Sequence, residues 1–171
     1  MVHLPQITAA IIASKVEYGI AIYYGSVRLS ESDPIENHHR SLQVALNNAM
    51  RVAAGRRRSE HVKISELCEI TKIRSVNRMS AEAKLSLIWS SQNSAKSPLA
   101  NVFRKQARKN MASRAIARQD LASDAKSELS KRNVVHQSVR IWNAVDLALR
   151  KETKKPAAKK IIRCIAGTLP L

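Results

Sequence analysis

Glycine is scarce in this chain, four among 171 residues, and six residues are aromatic while 23 are alanine. Sheets turn on glycine and fill their strands with β-branched and aromatic side chains, so this usage argues against a β-sandwich or barrel. An all-α fold is expected, a single compact multi-helix domain whose C-terminal part is basic. The length is enough for one buried core. Composition divides it into residues 1–93 and a more basic 94–171, expected to cooperate as one domain.

Thirty Lys and Arg stand against thirteen Asp and Glu, a formal charge of +17. Residues 1–60 hold seven bases and five acids, and residues 61–171 hold 23 and eight, so nearly all of the excess lies in the second segment. A surplus of this size calls for a polyanionic partner, and nucleic acid is the first candidate. The most apolar run, Ile7 to Tyr24, is broken by Lys15 and Glu17, so no membrane span is expected there. The start, MVHLPQ, lacks the features of a secretory leader. Cys68 and Cys164 have no metal-ligand spacing and form no disulfide framework, which points to a reducing intracellular compartment, nuclear or cytoplasmic.

Helix signals recur along the chain. Pro5 to Tyr24 reads as a buried helix ended or kinked at Tyr18-Gly19. Asp33-Pro34-Ile35-Glu36 reads as a helix start, with Asp33 capping, Pro34 in the first turn and Glu36 completing a capping box. Leu42, Leu46, Ala49, Met50 and Ala53 form one stripe, and Gly55 is the stop. A short helix is predicted over 65–73 with Leu67 and Ile70 inward, and a longer one over 75–91 with Val76, Met79, Ala83 and Leu87 on one face. Ser97-Pro98 opens a helix in which Leu99, Phe103, Ala107 and Met111 alternate with the cationic columns Arg104/Arg108 and Lys105/Lys109. Residues 132–137 read as extended, and Ser138 as the cap of a helix carrying Val139, Trp142, Val145 and Leu149. Pro156 restarts a last helix with Ile161, Ile162 and Ile165 apolar and Gly167 as its stop.

The residue inventory holds no evident catalytic set. Metal-dependent phosphoryl transfer needs clustered carboxylates. The four aspartates here are Asp33, Asp120, Asp124 and Asp146, and no two are adjacent. Asp120 and Asp124 fall on one helix face beside Arg118 and Lys126, which suits ordinary helix pairing. Cys68 and Cys164 read as small core residues, and His38-His39 as surface or boundary positions facing different ways. Neither common glycine-rich phosphate loop is present. No cofactor or metal is expected, and no activity of the chain on its own. Binding is the expectation instead. The candidate phosphate-contacting residues are Arg56, Arg57, Arg58, Arg104, Lys105, Arg108, Lys109, Lys154, Lys155, Lys159 and Lys160. The Lys154 to Arg163 stretch also reads as a nuclear-localisation patch. With so few aromatic residues for stacking, backbone contact is favoured over base reading.

The order of short motifs is suggestive as well. Val16-Glu17-Tyr18-Gly19 closes an apolar helix, Tyr24-Gly25 follows, a helix ends as Met50-Arg51-Val52-Ala53-Ala54-Gly55, and Arg140-Ile141-Trp142-Asn143 lies within Val135 to Asn143. Over nearly the whole chain this order resembles the C-terminal region, thumb and post-polymerase segment, of reverse transcriptases from non-LTR retrotransposons of the jockey and RTE-like kind. Ala144-Val145 stands where that family often has Leu-Pro, and Tyr24-Gly25 where it has Trp-Gly. The resemblance implies a helical, non-catalytic piece of an RNA-directed DNA polymerase, with residues 1–93 thumb-like. It implies binding to the backbone of RNA or an RNA/DNA hybrid, with the missing polymerase half as a second partner. The alternative expectation is a basic structural subunit of a ribonucleoprotein such as a ribosomal protein.

Overall fold

A computed structural model describes residues 4–23, 27–33, 37–94, 97, 100, 102–103, 121, 127 and 133–170. Among these residues there are helices and no strands. In chain order they are α1 (Leu4–Glu17), α2 (Ile20–Tyr23), α3 (Asn37–Ala53), α4 (Ile64–Thr71), α5 (Val76–Asn93), α6 (Val134–Ala144), α7 (Leu147–Lys151) and α8 (Lys155–Thr168). Ala100, Val102 and Phe103 are also helical, and Ala100 and Phe103 are buried, in keeping with the Ser97-Pro98 start. Leu99, Ala107, Met111, Asp120 and Asp124 lie outside the described residues.

Helix α5 is the spine. The sequence pattern assigns it one apolar face, yet Val76, Met79, Ala81, Leu85, Ile88 and Trp89 are all buried, and so are the polar Asn77, Ser80 and Lys84. It is buried on several sides because two cores meet on it. In one, Val76 and Met79 join Ile20, Leu46, Met50, Leu67 and Ile73. In the other, Leu85, Ile88 and Trp89 join Phe103, Leu121, Ile141, Trp142, Leu149 and Ile162. A helix shared in this way does not show the single stripe of a surface helix. Its polar groups are bonded across the fold or to one another along the helix. The Asn77 amide accepts from the Arg28 N–H at 2.9 Å and donates to the Arg28 and Pro170 carbonyls at 3.0 Å each, tying the 27–33 loop to the C-terminal tail. Trp89 Nε1 donates to the Glu152 carbonyl at 2.8 Å, and Lys84 Nζ to Ser80 Oγ at 3.2 Å.

The stop of α3 follows its sequence signal. Gly55 has φ +65°, and the Arg56 N–H donates to the Arg51 carbonyl at 2.9 Å while the Gly55 N–H donates to that of Val52 at 3.1 Å. That pair of bonds is the Schellman motif. The expected buried stripe is present, with Leu46, Met50 and Ala53 buried and Leu42 packed against them.

Elsewhere the structure corrects the sequence reading. Helix α1 turns at Tyr18-Gly19 as expected, with Gly19 at φ +73°, but among its described side chains burial is one-sided. Ile7, Ile11 and Tyr18 are exposed, Tyr18 at 85%, while Ile12 and Val16 pack on the core. Helix α3 is described from Asn37 on, and the N–H groups that Asp33 would cap belong to residues outside the described ones. The Asp33 carboxylate accepts from the Leu29 N–H at 2.8 Å, from Ser30 Oγ at 3.3 Å and from Arg140 at 2.8 Å, contacts that tie it to the 27–33 loop and α6. Pro34 and Glu36 lie outside the described residues. Ile70 is exposed, since α4 is too short to bury more than the column of Leu67.

The cap of α6 is Asn133, whose Oδ1 accepts from the Val135 N–H at 2.9 Å. Residues 134–137 are therefore helical, and Ser138 is a buried interior position. Val145 and Leu149 are buried as predicted, but the helix breaks at Val145 and Asp146, so Val145 caps α6 and Leu149 belongs to α7. Gly167 lies inside α8, which runs on to Thr168. Cys164 is exposed and Cys68 is half-buried. His39 is buried and not a surface residue.

Candidate nucleic-acid interface

Basic clusters flank two helices, and their settings differ. Arg56-Arg57-Arg58 follow the C-terminal end of α3, where exposed carbonyls carry partial negative charge and cations are stabilising. Arg56 pairs with Glu60 at 3.3 Å and with Glu66 at 3.9 Å. The Arg57 N–H donates to Glu60 Oε1 at 3.1 Å. Arg57 and Arg58 themselves are exposed and make no ion pair among the described residues. One third of this cluster is thus taken up by its own turn.

The second cluster opens α8. Ala158, Ile162 and Ala166 are buried along one column of this helix, with Ile161, Ile165 and Leu169 packed beside them. That register sends Lys155, Lys159 and Lys160 to solvent, and Lys154 precedes them, also exposed. Lys154 is the N-cap, makes no side-chain cap bond, and no acid occupies the first turn. Positive charge at this end opposes the helix dipole, and Lys155 and Lys159, four apart, repel each other. No described carboxylate pairs with any of the four lysines. The nearby Glu152 carboxylate accepts from the Lys154 backbone N–H at 2.7 Å.

Arg163, exposed and four residues after Lys159 in the same helix, extends this face. Arg163 is partly spent, with Nε 3.4 Å from Glu82 Oε1. Arg104, Lys105, Arg108 and Lys109 lie outside the described residues.

No family model, curated protein or solved structure matches the chain. The functional reading therefore rests on residues and their settings. Among these is the Arg140 to Asn143 segment, in which every member has a folding role. Arg140 pairs with Asp33 across the fold at 2.8 Å, and Ile141 and Trp142 are in the core. Asn143 clasps the Leu121 backbone in both directions, accepting from its N–H at 2.9 Å and donating to its carbonyl at 2.8 Å. The Leu29 N–H holds the Asp33 carboxyl below the usual carboxylate range; burial opposes it, and the Arg140 guanidinium and the Ser30 backbone lower it further. Trp142 is a core anchor as expected, not a base-stacking platform. Among the described residues no helix is long and apolar enough to cross a membrane, and no three His, Cys, Asp or Glu side chains cluster as metal ligands.

Proposed function

We propose that this chain is a helical scaffold that grips the backbone of RNA or an RNA/DNA hybrid, with the lysine face of α8 as its principal contact. The observation that carries this reading is the set Lys154, Lys155, Lys159 and Lys160, exposed over the first turns of a helix and making no ion pair among the described residues. The fold gains nothing from charge placed there, whereas a phosphate chain would relieve both the repulsion and the dipole. Arg163 lengthens the same face, and the excess of +15 over residues 61–171 provides a long-range field for encounter.

The chain's place in a larger machine is proposed from its resemblance to the thumb and post-polymerase region of non-LTR reverse transcriptases. The dense packing of Arg140-Ile141-Trp142-Asn143 supports that reading, because a segment whose every side chain serves the fold suits a scaffold rather than a reaction centre. The polymerase half would supply catalysis and be the second partner. The test is fluorescence anisotropy with an RNA strand, an RNA/DNA hybrid and duplex DNA of equal length. Micromolar or tighter binding to RNA and hybrid at low salt is expected. Failure to bind any of the three would refute the proposal, and selective co-sedimentation with ribosomal particles would favour a ribonucleoprotein subunit instead.

A further inference from the structure

Away from the lysine face, α4 and the first turn of α5 flank an open groove of about 450 Å³, within the size range of small-ligand sites. Ser65, Cys68, Glu69, Lys72, Arg74 and Arg78 line it, three cations to one acid. Arg74 is already balanced, bonded to Glu17 at 2.5 Å and paired with Glu82. Lys72 and Arg78 have no carboxylate partner among the described residues. Arg78 is anchored through Nε, which donates to the Leu169 carbonyl at 3.1 Å.

The wall that holds these cations is fixed before any ligand arrives. Thr71 Oγ1 donates to the Leu67 carbonyl at 2.7 Å and accepts from the Ile73 N–H at 3.3 Å. Ser75 caps α5 by accepting from the Arg78 N–H, and the Val76 N–H donates to Gln43 Oε1 at 2.8 Å. Lys72 itself sits at φ +59° as the left-handed cap that ends α4, so its place in the chain is set by the helix stop.

We infer that this groove is a nucleotide phosphate site, in which Lys72 and Arg78 hold the phosphate and Glu69 accepts from a sugar hydroxyl. A guanidinium and an ammonium on a rigid wall match an oxyanion with several acceptor atoms. The volume exceeds what a phosphate fills, leaving room for the sugar beside Glu69. The phosphate could belong to a free nucleotide or to the end of a strand, and the two sources present the same group.

Cys68 provides the readout, since burial pushes its thiol up and the Arg78 guanidinium opposes this only in part. In a Cys164→Ser background Cys68 is the sole thiol, and its alkylation by iodoacetamide at alkaline pH can be timed. AMP at ten times its Kd is expected to slow that reaction about tenfold, and adenosine to leave it unchanged. A 5′-phosphorylated oligonucleotide that protects where its 5′-hydroxyl twin does not identifies the strand end as the source. Protection by AMP alone identifies the free nucleotide. Lys72→Asn keeps a residue that tolerates the left-handed conformation while removing the charge, so protection should be lost with the helical circular dichroism unchanged. No protection by AMP, equal protection by adenosine, or undiminished protection in Lys72→Asn would overturn the inference. Because the signal arises at Cys68, it does not depend on whether α8 binds a strand.

Discussion

The two ends of helix that carry basic clusters differ in electrical sense. At the end of α3, Arg56 lies over the negative pole and is neutralised by Glu60 and Glu66, so its charge stabilises the turn. At the start of α8, Lys154 and Lys155 lie over the positive pole, Lys159 and Lys160 follow one turn later, and none of the four side chains pairs with a described acid, Glu152 being bonded to the Lys154 backbone N–H. In sequence both are runs of positive residues beside a helix boundary. The dipole separates them: charge that suits its helix belongs to the fold, and charge that opposes it is left for a ligand.

The largest effect that would break this comparison is on binding. Replacing Lys154, Lys155, Lys159 and Lys160 by Glu should weaken RNA binding at near-physiological salt by about a hundredfold or more, because four phosphate contacts become repulsions. The same variant should melt no lower than the wild type, since acids at positions 154 and 155, in the first turn, are stabilising by about 0.3–1 kcal/mol each, and the changes at 159 and 160 are on an exposed face. A large loss of melting temperature would show that the lysines belong to the fold after all.

Next in size is the other end. Gly55→Ala should destabilise the protein by about 1–2 kcal/mol in urea unfolding, because φ +65° disfavours a side chain. Nothing lies within 4 Å of the added Cβ, so the cost is backbone strain without a clash. RNA affinity should stay within about twofold, as no phosphate contact is removed. Arg56→Ala should cost less, about 0.5–1 kcal/mol, because its pairs with Glu60 and Glu66 are solvent-exposed. Its effect on RNA affinity should fall well below that of the α8 variant.

The smallest effect concerns pH. The folded pKa of Asp33 is depressed by the Leu29 N–H and Arg140, so its contribution is fully present above the ordinary carboxylate value and is lost as pH falls through the folded one. Asp33→Asn should therefore melt roughly 1–3 °C below the wild type at neutral pH, and the two should converge in acid, below about pH 4. A gap that persists unchanged in acid would point to lost packing instead.

How much of this was legible in the sequence depends on how local the signal is. The stop of α3 was legible because Gly55 and the bonds it permits lie within one turn. Trp142 was legible as a core residue because its neighbours repeat its side of the helix. Helix α5 was not, because two cores claim opposite faces and its buried Asn77, Ser80 and Lys84 are justified only by partners distant in sequence or by each other. Apolarity misplaced α1, where Ile7 and Ile11 remain exposed although nothing in their spacing distinguishes them from Ile12 and Val16. Cap selection failed at α6, since Asn133 and Ser138 are both good caps and only tertiary packing puts Ser138 inside. For the basic residues, the sequence marked both clusters but could not show that Arg56 is spent on Glu66, which belongs to the next helix.

The most direct measurement is the salt dependence of RNA affinity for the wild type and the four-lysine Glu variant side by side. A linear fall of log affinity with log salt is predicted, with the variant's slope shallower by about three, the share of four single-strand phosphate contacts. Equal slopes and equal affinities in the two proteins would contradict the assignment of α8 as the gripping surface.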